Sequence, residues 1–330
     1  MNARSLTVVG LVVAMIVASY FVGRGQAPTR PLSAEPVDDA GLAATAKKSV
    51  SLAKATQVPV TQGGTTAGMA MPPADTPLKD TFADLQARAA AGDAAAATRL
   101  SRDLSRCHRL LNAQWKNSGT ADDLLTRKTD GMSDAQLRTY QILLDTMATR
   151  QQEVKKTEAL CSGVDQHELD SLVSSIAQAA QLGDAEARAC YLSRGPTLDT
   201  RMLLDHPEAL QGYRNAASSM IDAGISAGDW RVIDLLKNAY EPGAQGLLAG
   251  LLGADPVQYY RYLKLYRLGA EDFRTATLDK QLAAVAANLT PEQIVDANAW
   301  AQSSLQQNFT GPSTAVTPQG WNPCAFAGGL

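Results

Sequence analysis

Ala89-Ala90-Ala91-Gly92-Asp93-Ala94, Ala179-Ala180-Gln181-Leu182-Gly183-Asp184-Ala185 and Ile225-Ser226-Ala227-Gly228-Asp229-Trp230 are three copies of one phrase. Small residues let two helices approach closely. Glycine accepts the left-handed backbone that closes a helix, and the aspartate behind it caps the next one. A weaker echo follows at Tyr266-Arg267-Leu268-Gly269-Ala270-Glu271. The joint glycines are spaced 183 − 92 = 91, 228 − 183 = 45 and 269 − 228 = 41 residues apart. The last two intervals fit helical hairpins of about 40 residues stacked in series. The first is about twice as long and leaves room for a degenerate unit or an insertion over 116–164. The expected fold is all-α, an α/α solenoid-like array of helical hairpins with about ten to twelve helices.

The bulk numbers agree. Of 330 residues, 45% are hydrophobic but only 5% aromatic, so the apolar content rests on Ala and Leu, both strong helix formers. A net charge of −3 offers no basic field, and nucleic acid is not an expected partner. Start signals place the helices one by one. Thr76-Pro77 opens the first, with Phe82 and Leu85 as its apolar stripe, and Leu100, Leu104, Cys107 and Leu111 mark the second. Ser133-Asp134-Ala135-Gln136 and Asp165-Gln166-His167-Glu168 are capping boxes. Asp255-Pro256-Val257-Gln258 and Thr290-Pro291-Glu292-Gln293 each combine a cap, a first-turn proline and a reciprocal glutamine.

Outside this domain, 78–310, the chain changes character. Leu6 to Gly23 carries no charge, and residues 1–23 read as an uncleaved signal anchor, or as a signal peptide cut after Ser19. Either reading exports the rest, to face the periplasm from the inner membrane or to be released there. Seven prolines (28, 31, 36, 59, 72, 73 and 77) among Ala, Thr, Gly and Ser make 24–77 a disordered spacer. A tail, 311–330, lacks helical pattern, and Trp321 and Phe326 suggest that it packs back on the domain.

Export places the four cysteines in an oxidising compartment. Of the three possible pairings, Cys107–Cys161 and Cys190–Cys324 are preferred, the first clasping the insertion at its base and the second tying down the tail. The alternative is four separate buried thiols.

Gln178 to Arg188 resembles the junction of Sel1-like repeats, the short relatives of tetratricopeptide repeats, and Ala244 to Phe273 is similar to a nearly whole unit. The Gly-Xaa-Gly-Val loop of that family is missing. The resemblance implies a scaffold that binds proteins along a concave surface and shares no catalytic residues.

Chemistry-bearing motifs are scarce. His108, His167 and His206 lack partners at ligand spacing and read as structural or solvent-exposed. There is no Gly-Xaa-Ser-Xaa-Gly elbow, Ser-Xaa-Xaa-Lys, Walker loop or dinucleotide fingerprint. No cofactor or metal is called for, and a non-enzymatic role is expected. The strongest candidate is the group Tyr259, Tyr260, Tyr262 and Tyr266 beside Arg261, Lys264 and Arg267. Positions 259, 262 and 266 share a face that fills the seam between repeats, which leaves Tyr260, Arg261 and Lys264 as the exposed candidates for partner binding. Trp115, Trp230 and Trp300 read as packing. The expected function is a protein- or peptide-binding scaffold of the cell envelope. The alternatives are an envelope enzyme acting on cell-wall glycan, or a structural spacer.

Overall fold

The structure, a computed structural model, describes residues 70–113 and 126–326. The expected anchor, most of the spacer, Trp115 and the last four residues lie outside them. Among the described residues there is no strand, and no helix is long and apolar enough to cross a membrane. The helices are α1 (Leu78–Ala90), α2 (Ala94–Ala113), α3 (Asp134–Leu160), α4 (Gln166–Asp170), α5 (Leu172–Gln181) and α6 (Ala185–Arg194). After a 3-10 turn come α7 (Thr200–Asp205), α8 (Glu208–Ser226), α9 (Trp230–Tyr240) and α10 (Leu247–Leu252). The last four are α11 (Pro256–Leu268), α12 (Asp272–Ala286), α13 (Pro291–Asn308) and α14 (Ser313–Val316).

Packed pairs run along the chain as α1 on α2, α2 on α5, α5 on α6, α6 on α9, α9 on α11 and α11 on α13, with α3 also packed on α2 and α12 on α11. The three joints share one backbone pattern. The N–H of each glycine reaches the carbonyl three residues back, and the N–H of each aspartate reaches the carbonyl five back: Gly92 to Ala89 and Asp93 to Arg88, Gly183 to Ala180 and Asp184 to Ala179, Gly228 to Ile225 and Asp229 to Gly224. This bonding requires the glycine to be left-handed, and φ is +92°, +103° and +67° at the three positions. Each aspartate then caps the following helix, accepting from the N–H groups of Ala95 and Ala96, of Ala187, and of Arg231.

The fourth joint is built differently. Gly269 has φ −91°, and Glu271 makes no side-chain cap. Glycine is needed there for room: a Cβ would sit 2.4 Å from Cζ2 and Cη2 of Trp230. The capping boxes at Ser133, Asp165 and Thr290 form, whereas Asp255 caps α11 without a reciprocal bond from Gln258. At the first helix Pro77 is itself the N-cap, so Thr76 does not cap it.

The core is two apolar clusters. One gathers α1, α2, α5, α6 and α8; the other gathers α11, α12, α13 and Phe309. α9 belongs to both, giving Val232, Leu235 and Leu236 to the first and Trp230 and Ile233 to the second. That explains its dense apolar content, since each fully buried large side chain contributes roughly 1.5–3 kcal/mol. In the expected insertion, α3 buries only Thr157 and Leu160. Its C-cap residue, Cys161, is bonded to Cys107 of α2 (S–S 2.07 Å), and Cys190 of α6 to Cys324 of the tail (2.09 Å), which are the two pairings preferred from sequence.

The tail does contain a helical turn, α14, and packs along the ends of the later helices. Ser313 N–H donates to Gly269 O at 2.7 Å, Trp230 Nε1 donates to Thr310 O at 3.1 Å, and Phe326 is buried in the first cluster. The spacer also differs from expectation at its near end. Residues 70–77 are laid on the domain, because Arg99 of α2 donates to the carbonyls of Pro72 and Pro73.

Candidate interaction surface

α11 lies between two helices, and that position decides the fate of its tyrosines. On one side, Tyr259 donates to Glu241 Oε1 at 3.3 Å, at the end of α9, and Tyr266 bonds Thr317 of the tail at 2.7 Å. On the other, Tyr260 donates to Asn298 Oδ1 of α13 at 3.4 Å and is 6% exposed. Tyr260 is therefore not the exposed residue expected from the helical spacing. With α9 and α13 packed on opposite faces, position 260 falls in the second seam.

Exposure is retained by a different set. Tyr240 and Tyr262 stack with centroids 5.7 Å apart and planes at 6°, and Tyr262 meets Trp300 edge-on at 5.4 Å. The Arg261 guanidinium covers the Trp300 ring at 4.0 Å. All four residues are half-buried, as is Lys264. They form one strip crossing α9, α11 and α13. Trp300, expected in the core, is one of its members: it stays half-buried, packed edge-on against Tyr262 and under Arg261. Burial, then the neighbouring Tyr240, pushes the Tyr262 hydroxyl up to about 12. Burial and Glu241 do the same for Tyr259, to about 12. Both phenols therefore stay protonated near neutral pH and act as neutral donors, not as bases.

Arg261 has a polar feature of its own. Its Nε is buried and makes no hydrogen bond, so the cation–ring contact is what holds the guanidinium there. Stacking of this kind contributes roughly 0.5–2 kcal/mol, more as water is excluded. A ligand that covers the strip would exclude that water.

Elsewhere the charged residues serve the frame. Thr98 and Arg102 of α2 donate to Asp184 at 2.8 and 3.5 Å, and Arg188 of α6 donates to Asp229 at 3.4 Å. The helices that follow the first two joints, α2 and α6, thus each grip the aspartate of the next joint. His206 Nδ1 lies 3.0 Å from Glu208 on the surface, and His167 is exposed. No group of three metal-ligating side chains occurs among the described residues. Sequence spacing missed Tyr240 because it ends a different helix, and missed the arginines of α2, whose 99, 102 and 106 register was the available signal. Comparison with family models, with curated proteins and with solved structures found no match.

Proposed function

We propose that this protein is a non-catalytic scaffold of the cell envelope, a Sel1-like array of helical hairpins that binds a protein or peptide partner on the strip Tyr240–Tyr262–Trp300–Arg261. One observation carries the reading: half-buried aromatic side chains from three successively packed helices, α9, α11 and α13, meet in one strip under an arginine. A stacked array offers equivalent positions of neighbouring helices to a ligand lying across them. Large flat rings with a cation at the edge are the side chains that contribute most at protein interfaces. The chain-order packing and the recurrent joints support the array reading. The uncharged N-terminal segment and the two disulfides support an exported, periplasm-facing location.

The partner is a polypeptide with apolar or aromatic side chains for the ring edges and a carboxylate for Arg261 and Lys264. The test is cross-linking in envelope extract with wild type, Arg261→Glu and Lys264→Glu, each first checked for an unchanged melting temperature. Charge reversal should remove the specific partner from the cross-linked set. An unchanged set of partners in both variants would overturn the assignment of this strip. Release of soluble fragments from isolated murein by the purified domain would overturn the non-catalytic reading.

A further inference from the structure

The segment ahead of α1 rests against the first half of α2. Met71 packs on the first core cluster, and the Arg99 guanidinium donates to two consecutive carbonyls, those of Pro72 and, at 2.7 Å, of Pro73. The remaining edge of the same group, Nε, donates to Asp103 at 3.3 Å. Asp103 is 6% exposed, so a buried carboxylate fixes the direction in which the guanidinium points. Proline has no N–H, and an extended proline-bearing segment makes no internal hydrogen bonds, so its carbonyls are the backbone handle it offers. A planar fork of N–H donors fits two such acceptors at once, which an ammonium cannot do.

Arg99 does not stand alone. Arg102 and Arg106 follow at three and seven residues, on one face of α2. With Thr98, Met71 and the Leu182–Asp184 joint, they wall a cleft of about 640 Å3. That size lies in the usual range for ligand sites, about 300–1,000 Å3. The charges in the wall largely balance, because Asp103 faces Arg99, and Asp184 and Glu186 face Arg102 at 3.5 and 3.2 Å. A cleft of this kind is suited to carbonyls and not to a polyanion.

We propose that the Arg99 face of α2, at the edge of this cleft, is a receptor for an extended, proline-bearing peptide and that Met71–Pro73 is its intramolecular occupant. An incoming peptide takes the place of the tethered segment and places its own prolyl carbonyls on Arg99. A segment joined by a short connection competes at an effective concentration on the order of millimolar, so the resting protein binds such peptides weakly. The site is separate from the aromatic strip, and its loss leaves the reading of that strip unaffected.

The experiment uses the full chain and a fluorescent octapeptide, Ala70 to Pro77, followed by anisotropy, with a scrambled peptide as control. Pro72→Gly combined with Pro73→Gly weakens the internal occupant and should tighten probe binding by about tenfold or more. Adding Arg99→Lys, which keeps a charge beside Asp103 but removes the fork, should reverse that gain without changing the melting temperature. Arg106→Gln is the second probe should Arg99→Lys fail to fold, and it should also weaken binding. Equal affinity of the proline variant and wild type, equal binding of the scrambled peptide, or retained affinity after loss of the arginine would overturn the proposal.

Discussion

Trp230 lies against Gly269 so closely that a single methyl group has no room between them: a Cβ at position 269 would fall 2.4 Å from two indole carbons. The indole in turn touches Phe309 at 4.5 Å and Tyr266 at 6.4 Å between ring centroids. The start of α9 is thereby seated on the end of α11 and on the tail.

Gly269→Ala should destabilise the protein by roughly 1–3 kcal/mol through overpacking, because its φ of −91° is open to alanine and only the steric term operates. Trp230→Leu should itself cost stability yet remove most of the penalty of Gly269→Ala. A double-mutant cycle by urea denaturation checks this, with a coupling above about 0.5 kcal/mol expected for residues in contact.

Gly92 and Gly228 share a left-handed backbone but not a neighbourhood. A Cβ on Gly92 meets nothing within 4 Å, whereas one on Gly228 would lie 1.9 Å from the carbonyl oxygen of Asn308. Gly92→Ala should therefore cost about 1–2 kcal/mol, the left-handed penalty alone. Gly228→Ala should cost clearly more, since backbone cannot step aside as a side chain can. Melting curves of the two variants side by side decide the point.

The joint aspartates titrate in opposite senses. Hydrogen bonds from Arg88, with the N–H of Ala96, hold Asp93 below the ordinary carboxylate value, while burial pushes Asp229 above it. The stability due to ionised Asp93 is present above the unfolded value and is lost as pH falls through the lower folded value. Asp229 behaves in reverse, its contribution being full below the unfolded value and lost as pH rises through the folded one. Between pH 7 and 3, the advantage of wild type over Asp93→Asn should shrink, and its standing relative to Asp229→Asn should improve. Denaturant titrations across that range measure both.

Cys190–Cys324 closes 134 residues and Cys107–Cys161 closes 54. In the chain-entropy account the first stabilises by up to about 5 kcal/mol and the second by about 4 kcal/mol. Cys324→Ser with Cys190→Ser should thus lower stability more than the other pair of substitutions, and should expose the tail first. Limited proteolysis should cut between Pro318 and Phe326 before any site in α6 or α9.

Removing Asp229 altogether is a harsher change. Arg188 and Asp229 have side chains 6% and 4% exposed. Asp229→Ala leaves Arg188 buried without its charge partner and uncaps α9, which should cost roughly 3–5 kcal/mol. Replacing Arg188 by Met in the same background should recover part of the loss, as read by denaturant midpoint.

Short-range patterns proved the legible part of this chain. The Gly-Asp joints at 92, 183 and 228 depend on backbone geometry within six residues, and the capping boxes at Ser133, Asp165 and Thr290 within four, so both are written locally. The cysteine pairs were readable because one closes the long segment between α2 and its return and the other fastens a tail whose sequence carries no helical pattern. Tyr260 was not legible. Its burial depends on α13, which begins 31 residues further on, since 291 − 260 = 31. Gly269 was right as a joint but for a reason that only Trp230, 39 residues earlier (269 − 230 = 39), supplies.

The residue order therefore determined the all-helical character, the corners and their caps, because hydrogen bonds within one or two turns set them. Tertiary packing alone decided which rings stay at the surface, why Gly269 must lack a side chain, and that Arg99 reaches across to the backbone of Pro72 and Pro73. Those outcomes depend on which helices become neighbours, and that is settled by burying apolar area over the whole domain, not by any local stretch of chain.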